Sequence, residues 1–228
     1  SAMYPNAPFT VENTTPYIYA DREYGPARDG WNNERGARAV ELLGGDGQVT
    51  VEEARAYAND TKSYGAERWL GMLRYADKRF AERFSGDPFY IAGIGDLLAW
   101  DGMLEANSTG ALKYAYWREE VRAAFGDDFP ALKARVDNFF KPLGKADPPV
   151  ELTEQELALL CSAFGKAMAR MAHERGKLDA VYGDRYRVGR DDVSWPVGGG
   201  GNPQDGLRAL RSVGFGRQRE DYTQWGQS

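Results

Sequence analysis

Cysteine and histidine are almost absent from this chain of 228 residues: Cys161 and His173 are single occurrences. One cysteine leaves no partner for an internal disulfide. One residue of each kind argues against a zinc site. It also argues against a Cys-His or Ser-His-Asp arrangement within the chain, because the helix expected to carry both holds them about three turns apart. Long apolar runs are missing as well, and none approaches the length of a bilayer span. The N-terminus has neither the basic start nor the apolar core of a signal peptide. A basic excess is lacking too: 29 basic residues face 34 acidic ones, for a formal net charge of -5. No basic stripe stands out from its neighbouring carboxylates, so no nucleic-acid partner is expected.

Aromatic and apolar side chains are plentiful enough for a sizeable core. Ser1-Ala2-Met3 reads as a cloning scar. Two stretches follow: 4–147, an irregular aromatic segment with a helical domain behind it, and 148–228, a long helix followed by a strand-like, glycine-rich segment and a tail. In residues 4–33, Pro5, Pro8, Pro16 and Pro26 break any long helix, while Tyr17, Tyr19, Tyr24 and Trp31 call for a surface to pack on. A short helix is expected from Arg35 to Leu43.

Thr50-Val-Glu-Glu53 has the form of a capping box opening a helix to about Ala58. A further helix is expected from Ser63, with Trp69, Leu73, Ala76, Phe80 and Phe84 at helical spacing and Gly86-Asp-Pro88 as its stop. The periodicity then predicts helices over Ile91–Leu104, after Ser108 (Tyr114, Trp117, Val121, Phe125) and over Phe129–Leu143. Pro148-Pro149 marks a linker, and Thr153-Glu-Gln-Glu156 is a second capping box. Leu157, Leu160, Cys161, Phe164, Met168 and Met171 form one apolar face down to Gly176. Gly206–Val213 reads as a last short helix.

The pattern breaks over 182–201. Tyr186, Val188 and Val193 alternate like strand residues, and Gly198–Gly201 follow Trp195-Pro196-Val197. Consecutive glycines let another backbone approach closely. The fold class that emerges is mainly α, helical-bundle-like, with a short β and glycine-rich segment near 182–201.

Several motif readings fail on their own chemistry. Asp46-Gly47 with Glu53 has the spacing of part of an EF-hand loop, but Leu42 and Gly44 fall where carboxylates are required. Gly93-Ile-Gly95 lacks the third glycine and the preceding strand of a dinucleotide fingerprint. Gly165-Lys166 lacks the earlier glycine of a phosphate loop. Gly198–Gly201 could present amides to an anion, but no Lys-Ser/Thr pair follows, so a structural turn is favoured. Asp184, Asp191 and Asp192 interleave with Arg185, Arg187 and Arg190, which favours a surface ion-pair network over a carboxylate site. His173, near a helix C-terminus, complements the dipole.

Taken together, Asn6-Ala-Pro-Phe9, Arg35-Gly-Ala-Arg-Ala-Val-Glu-Leu-Leu43, Val49-Thr-Val-Glu-Glu53, Leu97-Leu-Ala-Trp-Asp101 and Ser108-Thr-Gly-Ala-Leu112 resemble the penicillin acylase family of N-terminal-nucleophile hydrolases. The most specific part is Lys177–Arg190 with Ser194–Gly201 and Gly206-Leu-Arg208. Within the family the likeness is to acylases acting on acyl-homoserine lactones and aculeacin, and it covers an interior part of the β-chain only. The resemblance implies an αββα fold, of which this chain is a part, and an N-terminal serine that attacks an amide carbonyl with its own α-amine as base. It implies an oxyanion-stabilising role for Asn6 and a site-orienting role for Arg38. No cofactor is expected, although the resemblance allows a structural calcium. The implied substrate is an N-acylated small molecule of β-lactam, acyl-homoserine lactone or lipopeptide type. The implied partner is the nucleophile-bearing chain or segment, and the implied compartment is periplasmic or secreted.

The nucleophile and its strand are not recognisable in these residues, so this polypeptide alone is expected to be inactive. A stand-alone helical binding domain, using the aromatic segments 4–33 and 182–201, is the non-enzymatic alternative.

Overall fold

The computed structural model describes residues 34–43, 48–137, 150–190, 193–200, 207, 209–211, 218–219 and 222–223. Among them, helices α1 (Glu34–Leu43), α2 (Val51–Ala58), α3 (Ala66–Phe84), α4 (Pro88–Ala99), α5 (Thr109–Phe125), α6 (Phe129–Val136) and α7 (Glu154–Arg175) precede a single helical turn, α8 (Tyr182–Arg185). Strands β1 (Arg187–Arg190), β2 (Val193–Pro196), β3 (Gln218–Arg219) and β4 (Tyr222–Thr223) form one small sheet in the order β2-β1-β4-β3. The β1–β2 pair is an antiparallel hairpin with Val188 opposite Trp195, and β1 meets β4 in parallel. The mainly helical expectation holds.

Both capping boxes form. The Thr50 hydroxyl accepts from the Glu53 amide at 3.2 Å, and the Glu53 carboxylate accepts from the Thr50 amide at 2.8 Å. Thr153 and Glu156 repeat the same pair of bonds at the head of α7. Each box satisfies orphan amides of a first turn, so these two helix starts were legible from spacing alone.

Other boundaries move, each for a local reason. α3 begins at Ala66 rather than Ser63, because Gly65 takes a left-handed φ of 84° and the Ser63 amide donates to the Gly102 carbonyl at 2.8 Å. Gly86-Asp-Pro88 does end α3, but it also starts α4. The Asp87 carboxylate accepts from the amides of Phe89 and Tyr90, and Pro88 occupies a position whose N–H would have no helical partner. α4 therefore runs from Pro88 to Ala99, not from Ile91 to Leu104. Trp100 is already extended, and its indole donates to the Met103 carbonyl at 3.0 Å. The helix expected over Phe129–Leu143 stops at Val136. Asp137 turns out of it, with its carboxylate shared between Lys133 at 2.7 Å and the Trp69 indole at 2.7 Å. Phe139, Phe140 and Leu143 lie outside the described residues.

One core joins α3 to α8. α7 packs on α3, α4 and α5, and every residue of its expected apolar face is buried. The core includes residues on both sides of 138–149: Trp69, Leu73, Trp117 and Val121 before it, Leu160, Phe164 and Met168 after it. Trp117 packs edge-on against Trp69 at 6.4 Å between centroids and donates its indole N–H to the Leu160 carbonyl. A Cβ on Gly93 would stand 2.7 Å from the Met168 sulfur, so that glycine lets α4 lie close on α7.

Candidate functional site at Arg38 and the glycine crossing

Arg38 projects from α1 onto a carboxylate that follows α2. Its Nε donates to Asp60 Oδ1 at 3.1 Å and its Nη2 to Oδ2 at 2.7 Å. This is the two-pronged guanidinium–carboxylate geometry that fixes direction as well as distance. The third nitrogen, Nη1, donates to Glu41 one turn along the same helix at 2.8 Å. Arg38 and Asp60 side chains are only 15% and 10% exposed, so water competes little for either. The Asp60 hydrogen bond raises the Arg38 pKa further above its ordinary value against an opposing effect of burial, and the group stays cationic at any working pH.

Asp60 is itself held. Its Oδ1 also accepts from the Lys62 amide at 3.2 Å, and its backbone carbonyl accepts from the Arg211 amide at 2.9 Å. From there a ring of backbone bonds closes. The Gly200 amide donates to Arg211 O at 3.1 Å, the Gly199 amide to Leu104 O at 2.8 Å, and the Leu104 amide to Thr61 O at 3.0 Å. The Thr61 hydroxyl adds a 2.5 Å bond to Glu105. The buried Tyr182 hydroxyl donates to Gly199 O at 3.0 Å, and its ring stacks on Tyr186 at 4.2 Å.

The glycines are needed for space. A Cβ at Gly198 would meet Leu104 O at 2.6 Å, and one at Gly200 would meet Leu207 O at 2.1 Å. The close backbone crossing expected from the glycine run is therefore present, between 198–200 and both the segment 104–106 and the residues Leu207, Ala209 and Arg211. Those partners explain why Gly206–Val213 is not helical at its described residues. Leu207 forms a bridge, and the Arg211 amide and carbonyl are committed to Asp60 and Gly200 rather than to neighbours along a helix.

The stretch from Tyr182 differs from expectation in two further ways. Tyr182–Arg185 is a helical turn, and the strand begins at Arg187 rather than Tyr186. Of the charges interleaved there, Asp184 and Arg185 find partners away from one another. Asp184 accepts from the Val181 amide at 3.0 Å, and Arg185 turns inward to Glu119 at 2.9 Å with its guanidinium over the Tyr116 ring. Arg187 donates to the Ser194 hydroxyl, the Ser194 carbonyl and the Gly183 carbonyl. Short-range sequence spacing cannot show that α5 supplies the countercharge. Asp191 and Asp192 lie outside the described residues.

Of the two residues the resemblance nominated, Arg38 sits in this network and Asn6 lies outside the described residues. Sequence reasoning missed Asp60. Its only local signal is its place directly after the Asn59 cap of α2, which does not reveal a partner on another helix. It also missed Arg118, which is buried within the α5 stripe with its guanidinium 3.4 Å from the Trp69 ring centre.

Cys161 is buried, and burial pushes its thiol up to about 11, the wrong direction for a nucleophile. His173 lies on the same helix, so the two side chains are not brought together. Among the described residues no group of three His, Cys, Asp or Glu side chains is placed to hold a metal ion, so none is assigned to a structural calcium. No helix of the described residues is long and apolar enough to cross a membrane.

No curated protein matches the chain. The family model for penicillin amidase matches residues 3–228, nearly its whole length. The chain belongs to the penicillin amidase family.

Proposed function

We propose that this chain is the part of an amide-hydrolysing acylase that supplies the oxyanion donor and the orienting arginine, while the nucleophilic serine comes from a segment outside these 228 residues. Family membership implies a hydrolase of the acylase type. The observation that carries the assignment to this chain is the fixed position of Arg38: partly buried, doubly bonded to Asp60 and permanently charged. A group that orients a reacting centre must hold its direction, because a small misplacement at such a site is expensive in rate.

In this reading the serine hydroxyl attacks the carbonyl carbon of the acyl-amide and its α-amine takes the proton. The Asn6 side-chain amide donates to the oxyanion that forms. The C–N bond then breaks, the amine leaves with a proton, and water hydrolyses the acyl-enzyme. The substrates are N-acylated small molecules of β-lactam, acyl-homoserine lactone or lipopeptide type.

The test is reconstitution. This chain, alone and co-expressed with a nucleophile-bearing segment, is assayed on chromogenic N-acyl amides of each type. Turnover is expected only in the reconstituted enzyme, with Asn6→Ala lowering kcat about a hundred- to a thousandfold. Turnover by the isolated chain that Asn6→Ala abolishes, or a reconstituted enzyme indifferent to Asn6→Ala, overturns the reading.

A further inference from the structure

We infer that Asp60 is the positioning residue of this site: it sets the direction of Arg38 and ties that direction to the glycine crossing. The inference rests on the role proposed above for Arg38. Four hydrogen bonds converge on Asp60, donated by Arg38, Lys62 and Arg211. Its two carboxylate oxygens take Nε and Nη2 of Arg38, so the guanidinium plane cannot rotate without breaking one of them. Oδ1 also accepts from the Lys62 amide, which fixes the carboxylate's own rotamer. The Asp60 carbonyl accepts from Arg211, whose carbonyl receives Gly200 in turn.

Arg38 cannot be steered as well from elsewhere. Glu41, its other partner, is 56% exposed and bonds a single nitrogen, whereas Asp60 is 10% exposed and bonds two. An exposed partner at helical spacing contributes little and swings with solvent. A partly buried, two-pronged partner supplies orientation. An ordinary structural ion pair would join two elements. This one joins α1 to the segment that follows α2 and, through one backbone bond, to the glycine crossing that closes on Leu104 and Thr61.

The experiment uses the complete acylase in which this chain occurs, with N-acyl p-nitroanilides as probes. Five variants are compared: Arg38→Ala, Asp60→Ala, Asp60→Asn, Asp60→Glu and the Arg38→Ala/Asp60→Ala double. If Asp60 positions Arg38, both Asp60 single variants lower kcat on the order of a hundredfold with little change in KM. The double variant is then no slower than the slower single, because the two residues act as one unit. Asp60→Glu, which keeps the charge but lengthens the arm, restores part of the rate.

A merely structural Asp60 would lower the melting temperature and leave kcat of the folded fraction within about twofold. That result, alongside a slow Arg38→Ala, overturns the role of Asp60 and leaves the reading of Arg38 standing. An Arg38→Ala enzyme with unchanged kcat overturns both. Should Asp60→Ala fail to fold, Asp60→Asn decides, since it keeps the shape of the side chain and one acceptor oxygen.

Discussion

Gly200→Ala tests the glycine crossing directly. A methyl group at this position would stand 2.1 Å from the Leu207 carbonyl oxygen and 2.7 Å from the Ala209 nitrogen. Carbon–oxygen contacts settle near 3.3 Å, so the crossing must open by roughly 1 Å. Both obstructing atoms are backbone, so no rotamer change relieves the clash. Opening also stretches the Gly200–Arg211 bond, now 3.1 Å, past hydrogen-bonding range. Overpacking of this kind costs about 1–3 kcal/mol, and a lost hydrogen bond adds about 1 kcal/mol. For a chain of this size the melting temperature should fall by roughly 5–15 °C.

Gly95→Ala is the matched control. It lies inside α4 with nothing within 4 Å of an added Cβ. Alanine there gains about 0.5–1 kcal/mol from helix propensity, and the melt should rise by a few degrees. The assay is calorimetry of both variants beside the parent. A Gly200→Ala protein that melts with the parent, while Gly95→Ala rises, would refute the crossing.

Further outcomes follow from the charges and the core. The Arg135 hydrogen bond, opposed by burial and helped by Thr153, holds the Glu156 carboxyl below its ordinary range. Its contribution to stability is present above the ordinary carboxylate value and is lost as pH falls through the depressed one. Glu156→Gln should therefore lower the melting temperature at neutral pH and flatten the acid-side decline, as read from melts at several pH values. Arg118 has Nε and Nη2 buried without hydrogen-bond partners among the described residues. Arg118→Met should hold or raise the urea midpoint, because it removes an uncompensated desolvation cost while keeping volume. A clear drop would show that the stack on Trp69 carries net stability. Cys161, with its thiol pushed up to about 11 by burial, should react with a thiol reagent slowly in the native protein and fully in denaturant. Fast native labelling would contradict its place in the core.

What the sequence determined by itself was whatever depends on nearest neighbours along the chain. The two capping boxes and the apolar face of α7 follow from residues within a few positions of one another. They appear as read because a helix start or a helical stripe is set by spacing along the chain. The resemblance likewise drew on contiguous motifs, and the family match over residues 3–228 agrees with it.

Only the tertiary structure decided the rest. Asp60 found Arg38 across 22 positions, Arg185 found Glu119 across 66, and Gly200 found Arg211 across 11. Arg211, expected within a helix, gives its amide to Asp60 and its carbonyl to Gly200 instead. α6 ends at Val136, where Trp69 and Lys133 claim the Asp137 carboxylate. In each case a polar group satisfied itself on a distant element, and a local pattern carries no information about which element the fold will bring near.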